Sequence, residues 1–583
     1  MYYLPFIYCL LLSFSLWGQG TNVPLNNRAY HVLDRLDIKT DIQSPIFSSL
    51  RPFTRGDIVK YALVVDTAYN QVSLTSLDRN DLYYLFKDSN EWLISSTYPT
   101  TIGGKNELST AQVISSRKDS RYTERKPLLK YFYKTPANLL EINQPFLHLR
   151  VNPILNLSIA QPNGDGGALF ANQRGLIIRG GIDDRIYFYT SIIESQQGFA
   201  NYINQRVDET KSLPGQGFYK NFQSSAFENT RSFDYLNSQG YIGFNVTKHV
   251  GIQFGYGRHF IGNGYRSLLL SDFSNNHLYL KLNWRIGRFH YQNLYTELTA
   301  NSARTESGNG LLIKRFMTAH YFGYRLTKNI TVGFYEAVVF SRNSFDFNYL
   351  NPVILYRTVE QAVGSPDNAL LGFDAKWNLF NRFQIYGQLM LDEFKFDELF
   401  VEQRGWWGNK YAIQAGAKYI DAFGIDHFDV QYERNAARPY TYTHRDSSSA
   451  YAHLQQPLAH PVGANFKENL LILRYQPTKN LFFNTRWINI DYGQDPAGKN
   501  FGSNILIPHT TREMDFGNET GQGIATEVNI IGLELSYQFF HNMFIDLHYF
   551  YRNEDTPLDA MDLRTNYFGG GLRVNFDRPR LDF

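Results

Sequence analysis

Cysteine is all but missing. The 583-residue chain has one, Cys9. It sits in the opening apolar stretch without the small residues that precede a lipidated cysteine, which argues against a lipoprotein. With that stretch removed, no disulfide, thiol nucleophile or cysteine metal site is left. Long apolar runs are missing too. Beyond the first residues nothing approaches the roughly 18 consecutive apolar residues of a spanning helix, so a polytopic helical membrane protein is excluded. Charge of one sign is also lacking: 57 Lys and Arg against 54 Asp and Glu leave a formal +3. That balance gives an acidic partner no particular support, and no nucleic-acid partner or cofactor is expected. No basic residue precedes Arg28, so the usual positive start of a secretory signal is absent. Even so, Phe6 to Trp17 is apolar, too short to anchor, and followed by the small Gly18. Residues 1–18 are therefore expected to be a signal peptide that exports the chain.

Aromatic side chains are abundant instead. The chain has 41 Tyr, 45 Phe and 7 Trp, 16% of its residues. A composition this rich in aromatics excludes low-complexity disorder. Residues 19–127 read as a small, mostly helical periplasmic domain with a linker. Ile58, Tyr61, Ala62, Val65, Tyr69 and Val72 repeat at helical spacing behind Thr54 and Asp57, a capping arrangement. A second helix is expected over 76–92, with Leu77, Leu82, Leu85 and Phe86 along one side. The polar, mixed-charge stretch from Lys105 to Lys126 reads as the linker.

From about residue 128 to 583 the period becomes two. His277, Tyr279, Lys281, Asn283 and Arg285 alternate with Leu278, Leu280, Leu282, Trp284 and Ile286. One face suits lipid and the other a watery lumen, as transmembrane strands require. Similar alternation appears around 382–392, 531–538 and 545–551. Short turns at Asp183, Lys248, Gly287, Lys328, Phe380, Phe423, Lys479 and His541 alternate with nine long segments. About eighteen strands follow, an even number, with both ends on the short-turn side. The expected fold is mainly β: a transmembrane antiparallel barrel whose long loops face outward from the cell. Lipid cannot satisfy free backbone groups, so such a sheet must close. A barrel of this size encloses a channel unless something fills it. Lys281, Arg285, Arg382, Asp392, Glu534, Asp546 and Arg573 are expected in the lumen, as structural ion pairs or as guides for a charged solute. The Asn351-Pro352 and Asp367-Asn368 segments are expected to fold a long loop inward and narrow it.

Motifs for nucleophilic serine, zinc-helix or phosphate-loop chemistry are absent. Gly255-Tyr-Gly257 and Gly262-Asn-Gly264 read as loop and strand-end glycines rather than parts of a dinucleotide turn. His290, His320, Asp392 and His548 could converge in space as a barrel enzyme's residues do, but no spacing points to such a site, and the chain is read as a non-enzyme. A binding surface is better supported. Arg404-Gly-Trp406-Trp407-Gly and Arg438-Pro-Tyr440-Thr-Tyr442 lie in long loops. Apolar sugar faces pack on aromatic rings, and Arg binds hydroxyls or uronate carboxylates. The plainer alternative is that these rings join the aromatic girdles at the membrane surface. In a strand, Trp406 and Trp407 would point to opposite sides.

Several segments resemble a known family. Asn27-Arg-Ala-Tyr-His-Val-Leu-Asp-Arg-Leu-Asp-Ile38 with Leu50-Arg-Pro-Phe-Thr-Arg55 is similar to the start of Bacteroidetes-type proteins of the Wzi capsule-assembly family. Gly262-Asn-Gly-Tyr-Arg-Ser-Leu-Leu-Leu-Ser-Asp272, Tyr349-Leu-Asn-Pro352, Pro366-Asp-Asn-Ala-Leu-Leu-Gly372 and Tyr386-Gly-Gln-Leu-Met-Leu-Asp-Glu-Phe394 add to the likeness. The resemblance implies an outer-membrane lectin barrel with a periplasmic helical bundle that anchors capsular polysaccharide at the cell surface. It transfers no catalytic residue. Related barrels of the RemB type are linked to gliding motility, which leaves a motility or adhesion role, with secretion or motility machinery as partner, as the first alternative. A diffusion porin is the second. Apart from polysaccharide, the expected contact is outer-membrane lipid.

Overall fold

The structure, a computed structural model, describes residues 20–68, 72–94, 126–127, 132–133, 135–163, 167–183, 185–227, 230–301, 312–364, 366–558 and 563–583. The expected signal segment, Cys9 and most of the linker lie outside the described residues.

Period-two alternation produces eighteen strands. These are β1 (Leu147–Pro162), β2 (Leu169–Ile182), β3 (Ile186–Gly198), β4 (Ser232–Asn245), β5 (Val250–Gly257) and β6 (His277–Ile286). Next come β7 (Phe289–Thr299), β8 (Lys314–Arg325), β9 (Ile330–Phe340), β10 (Asn368–Leu379), β11 (Phe383–Glu393) and β12 (Lys410–Tyr419). The last are β13 (Phe428–Ala437), β14 (Phe466–Thr478), β15 (Leu481–Gln494), β16 (Ile524–Phe540), β17 (Met543–Asp555) and β18 (Leu563–Val574). Each pairs antiparallel with the next, and Tyr567–Val574 of β18 pairs with Leu155–Pro162 of β1, so the sheet closes. Closure leaves no edge of unpaired N–H and C=O groups. Short turns and long loops alternate as the sequence implied. Where Gly287 turns β6 into β7, its φ of +58° supplies the left-handed residue a two-residue hairpin needs.

Burial is inverted relative to a water-soluble protein. On β6, His277, Tyr279, Lys281 and Asn283 are buried, while Leu278 is 38% and Ile286 56% exposed. Ile159, Ile192, Leu236, Phe254, Trp377 and Leu547 continue this apolar exterior around the wall.

Helices α1 (Arg28–Lys39), α2 (Arg55–Thr67), α3 (Ser76–Asp88) and α4 (Glu91–Ile94) precede the barrel. The Thr54 side chain accepts the Asp57 N–H at the start of α2, and Thr75 with Asp78 forms a capping box on α3. Val32, Leu36, Ile58, Ala62, Val65 and Leu82 fill their shared core. The unit covers the short-turn opening of the barrel. Lys418 reaches Asp34 at 2.8 Å, Arg35 reaches Asp421 at 2.7 Å and Arg179 reaches Glu91 at 3.1 Å. Burial opposes ionisation of Glu91, but the guanidinium groups of Arg179 and Arg55 override it and hold the carboxyl at about 2. Asp34, beside Lys418 and Arg51, and Asp57, beside Arg285 and Lys60, are likewise held at about 2 against burial.

Inside the barrel, the loop after β5 (258–276) turns into the lumen. Its Phe260–Ile261 pairs antiparallel with Leu50–Arg51 from the helical unit. The opposite wall receives it: Glu433 accepts the N–H groups of Tyr265 and Arg266 at 2.7 and 3.0 Å, and Gln388 that of Leu268 at 2.8 Å. A Cβ on Gly262 would lie 2.4 Å from the Gln388 amide, and one on Gly264 2.5 Å from the Glu433 carboxylate. Glycine is thus required where backbone meets wall. The loop after β13 (438–465) sits on top, with Tyr442 and Tyr451 donating to the Leu268 and Leu269 carbonyls at 2.8 and 2.7 Å. Residues 575–583 also turn inward, where Asp582 receives Arg266 at 3.2 Å and Phe583 packs on Phe273. The hydrophobic core therefore lies within the lumen.

The loop after β9 (341–367) departs from expectation. It does not enter the lumen but folds back along the outside of the wall. It contains a turn of 3-10 helix (Phe347–Leu350) and a short α-helix (Tyr356–Ala362). The reason lies in the wall. Asn293, His320 and Glu336 occupy outward positions in one cross-strand row with Leu282, and the loop supplies their partners.

Candidate functional site

At the long-loop end, the loops after β11 (394–409), β13 and β15 (495–523) converge. Residues 404–408 hold no strand. Instead, Asp515 accepts the Trp407 N–H at 3.0 Å, and the Gly405 carbonyl accepts the Asn518 N–H at 2.9 Å. Gly405 has a φ of +67°, and a Cβ there would come 2.8 Å from the Asn518 nitrogen. A Cβ on Gly408 would come 2.4 Å from the Trp406 ring, so this glycine lets the indole fold over the chain.

The two indoles therefore lie together rather than on opposite faces, with centroids 5.7 Å apart and planes 56° apart. Both are half-buried. Cations surround them. The Arg512 guanidinium lies 4.2 Å from the Trp407 centroid and the Lys395 ammonium 4.4 Å from that of Trp406. Arg404 lies 4.4 Å from the exposed Phe516 ring and pairs with Glu398 at 2.5 Å and Glu402 at 2.6 Å. His509 packs on Trp407 with centroids 4.8 Å apart. Burial, together with Lys410, His444 and Arg512, pushes its imidazole down to about 3, so it stays neutral. The arrangement is a half-buried aromatic platform with Arg512 and Lys395 lying over its indoles, so that a sugar ring would meet ring edges and cations that suit hydroxyl or carboxylate groups.

No family model matches the chain, and no curated protein matches it in sequence. Among solved structures it superposes on Wzi of Escherichia coli, an outer-membrane protein involved in group 1 capsule assembly and described as a carbohydrate-binding β-barrel. The TM-score is 0.53 at 13% identity, over 96% of this chain and 100% of that one. The chain shares the Wzi fold. OccAB2 of Acinetobacter baumannii follows with a TM-score of 0.41 at 9% identity, over 73% of this chain and 97% of that one. OprD of Pseudomonas aeruginosa gives 0.39 at 9% identity, over 73% and 94%. The superposition on Wzi is long enough to take in the helical unit as well as the barrel.

On this Wzi-like barrel the residues expected from sequence divide. Trp406, Trp407 and Arg404 form the platform. Arg438 is half-buried and donates to the Asn518 carbonyl at 3.1 Å, bracing the loop from behind. Tyr440 and Tyr442 are fully buried. Their backbones adopt φ of +65° and +71°, which turns the rings inward: Tyr440 donates to the Asn500 carbonyl at 2.9 Å, and Tyr442 reaches the lumen loop. They shape the site rather than face it. Sequence reasoning missed Lys395, His509, Arg512 and Phe516, because only the meeting of three loops brings them to the indoles.

The luminal charges are mostly paired. Arg285 bonds Asp57, Glu534 meets Arg486 at 3.1 Å, and Arg573 meets Asp546 at 2.8 Å. Asp392 accepts the Tyr442 N–H at 2.7 Å, and Lys281 is buried. Arg382 is the exception: it shares the inward parity of Gln384 but falls in the turn between β10 and β11, where it is exposed. His320 faces outward, away from His290, Asp392 and His548, which face the lumen, so the four do not form one cluster. Among the described residues no group of three His, Cys, Asp or Glu is placed to hold a metal ion.

Proposed function

We propose that the chain is an outer-membrane barrel that holds exported surface polysaccharide at the cell surface, with the Trp406–Trp407 platform as its contact and no catalytic role. The observation that carries this reading is a closed barrel whose lumen is blocked at the long-loop end by packed loops, while an aromatic cluster with Arg and Lys beside it stands at that same end. The apolar exterior supports residence in lipid, and the helical unit would then be periplasmic. The Wzi superposition supports the same reading through the fold. Loops that block the long-loop end of the lumen, with the helical unit over the other opening, favour anchoring over diffusion. Single-channel recordings of the purified barrel should therefore show almost no current.

Deleting the gene should shift polysaccharide from the cell-bound to the shed fraction, with rescue by the intact gene. Retained polysaccharide combined with lost surface spreading would assign the chain to motility instead. Replacing Trp406 and Trp407 together by Ala should weaken binding to purified polysaccharide at least roughly tenfold, since aromatic anchors dominate such contacts. Barrel folding should be unchanged. Equal affinity would remove the platform from the site.

A further inference from the structure

Between the loop 258–276 and the helical unit the lumen keeps a chamber of about 530 Å³, a size that suits a small molecule. Its walls carry eleven Arg and Lys side chains against six Asp and Glu. Most of these cations are neutralised. Arg55 bonds Asp88 at 2.5 Å, Arg486 meets Glu534 at 3.1 Å, and Arg578 meets Asp546 at 3.0 Å.

Among the described residues, three guanidinium groups of the chamber find no carboxylate within hydrogen-bond distance. Arg51 comes from the helical unit, and its side chain is only 8% exposed. Its Nε group is buried without an acceptor. The Asp34 carboxylate is 3.9 Å away and is held by Lys418 at 2.8 Å. Arg474 of β14 lies across the sheet from Asp429, but that carboxylate is taken by Arg35 and by His31 at 2.9 Å. Arg474 donates instead to the neutral Gln431 amide at 3.0 Å, and Gln431 is the cross-strand partner of Lys418. Arg580, on the inward-turned tail, donates to the Tyr265 carbonyl. It shares the Phe260 ring with Arg51, the two lying 5.9 and 5.2 Å from its centroid. The three cations thus border one corner of the chamber. Asp577 also lines it, with the Asn27 amide 3.3 Å away, and burial pushes its carboxyl up to about 6. One such carboxylate against three guanidinium groups leaves the chamber positive.

Buried guanidinium forks without anionic partners are costly, and each fork matches a pair of oxygens on an oxyanion. A carboxylate holds its oxygens in one plane and serves few forks at once. A phosphate group directs its oxygens tetrahedrally and carries up to two charges, so forks arriving from a helical unit, a strand and a tail can all reach it. We propose that this chamber binds a phosphate group through Arg51, Arg474 and Arg580, either as free phosphate or as a small phosphate monoester. The chamber has room for an organic group beside the phosphate, and Tyr30, Tyr265 and Phe544 line it. The site is separate from the Trp406–Trp407 platform and does not rest on the polysaccharide reading.

Isothermal titration calorimetry on the purified full chain in phosphate-free buffer tests this, with sn-glycerol 3-phosphate, inorganic phosphate and glucuronate as titrants. At least one of the two phosphates should bind roughly tenfold or more tightly than glucuronate. The tighter of the two identifies the occupant as monoester or free phosphate. Arg474→Gln and Arg580→Gln should each weaken that binding by roughly tenfold or more, as loss of a charge-assisted partner does. A retained heat-modifiable gel shift shows that a variant barrel is folded, and Arg580, which lies outside the strands, keeps the test open should Arg474→Gln fail to fold. Lys248→Gln removes the same charge from an exposed turn and should leave affinity unchanged. Glucuronate binding as tightly as the phosphates, no binding of either phosphate, affinity unmoved in the folded Arg variants, or an equal loss in Lys248→Gln overturns the proposal.

Discussion

Two long loops of this barrel begin from similar hairpins and end on opposite sides of the wall. The loop 258–276 enters the lumen, where polar wall residues accept its N–H groups and glycines let it come close. The loop 341–367 lies outside, over three polar residues that interrupt an apolar face. In each case the wall decides the path: a loop goes where its backbone groups find partners. A barrel thus has two surfaces for cofolding its loops, and a few polar side chains on the wrong face suffice to recruit one.

The strongest way to break this comparison is at Glu336, which accepts the Tyr356 and Arg357 N–H groups at 2.8 and 2.7 Å and meets His320 at 2.8 Å. Replacing it by Ala leaves His320 and two N–H groups without their acceptor in a buried place, a loss of about 3 kcal/mol. The exterior loop should detach while the barrel stays closed. Trypsin should then cut after Arg342 and Arg357 faster than in the parent, without loss of the heat-modifiable gel shift that marks a folded barrel. Equal cutting would show that the row does not hold the loop.

On the inner side, Gly264→Val forces a side chain against the Glu433 carboxylate, which costs about 1–3 kcal/mol by overpacking. The loops that block the lumen should loosen, seen as measurable conductance through a barrel that was closed. An unchanged, silent barrel would mean the loop adjusts without the wall.

Acid provides the gentlest comparison. Asp34, Asp57 and Glu91 have folded values of about 2, below their ordinary values of 3.8, 3.8 and 4.5. Their contribution is complete above the ordinary values and is lost as pH falls from about 4.5 through about 2, by roughly 2–3 kcal/mol per carboxylate. Protection of the Leu50 and Arg51 amides, taken relative to the intrinsic exchange rate at each pH, should therefore fall on acidification across that window as the helical unit loosens. Unchanged protection would show that these ion pairs do not hold the unit to the barrel.

Much of this architecture is legible in the residues because it follows from short-range rules. Alternation at 277–286 and the alternation of short turns with long loops fix the strand number. Thr54 with Asp57 marks the start of α2 as it does in the fold. Paths of long loops are set by distant partners and are harder to read. Even so, the exterior loop left a trace: Thr318, His320 and Glu336 fall at outward positions where Phe316, Phe322, Phe334 and Val338 are otherwise apolar. Arg382 has the right parity, but the strand has already ended. Tyr440 and Tyr442 resemble sugar-stacking rings, and only their left-handed backbone turns them inward. Trp406 and Trp407 were found as a pair, while the cations that rim them come from other loops.

The pairing of Leu50–Arg51 with Phe260–Ile261 also has a mechanical meaning. It joins a segment of the helical unit at one mouth of the barrel to a loop that starts at the other. Load arriving at the outer loops passes through that loop into the wall at Gln388 and Glu433, and only the remainder reaches the two-residue splice. The helices are thus tethered to the far mouth yet shielded from most of the tension on it, as a suspended floor is carried by its walls.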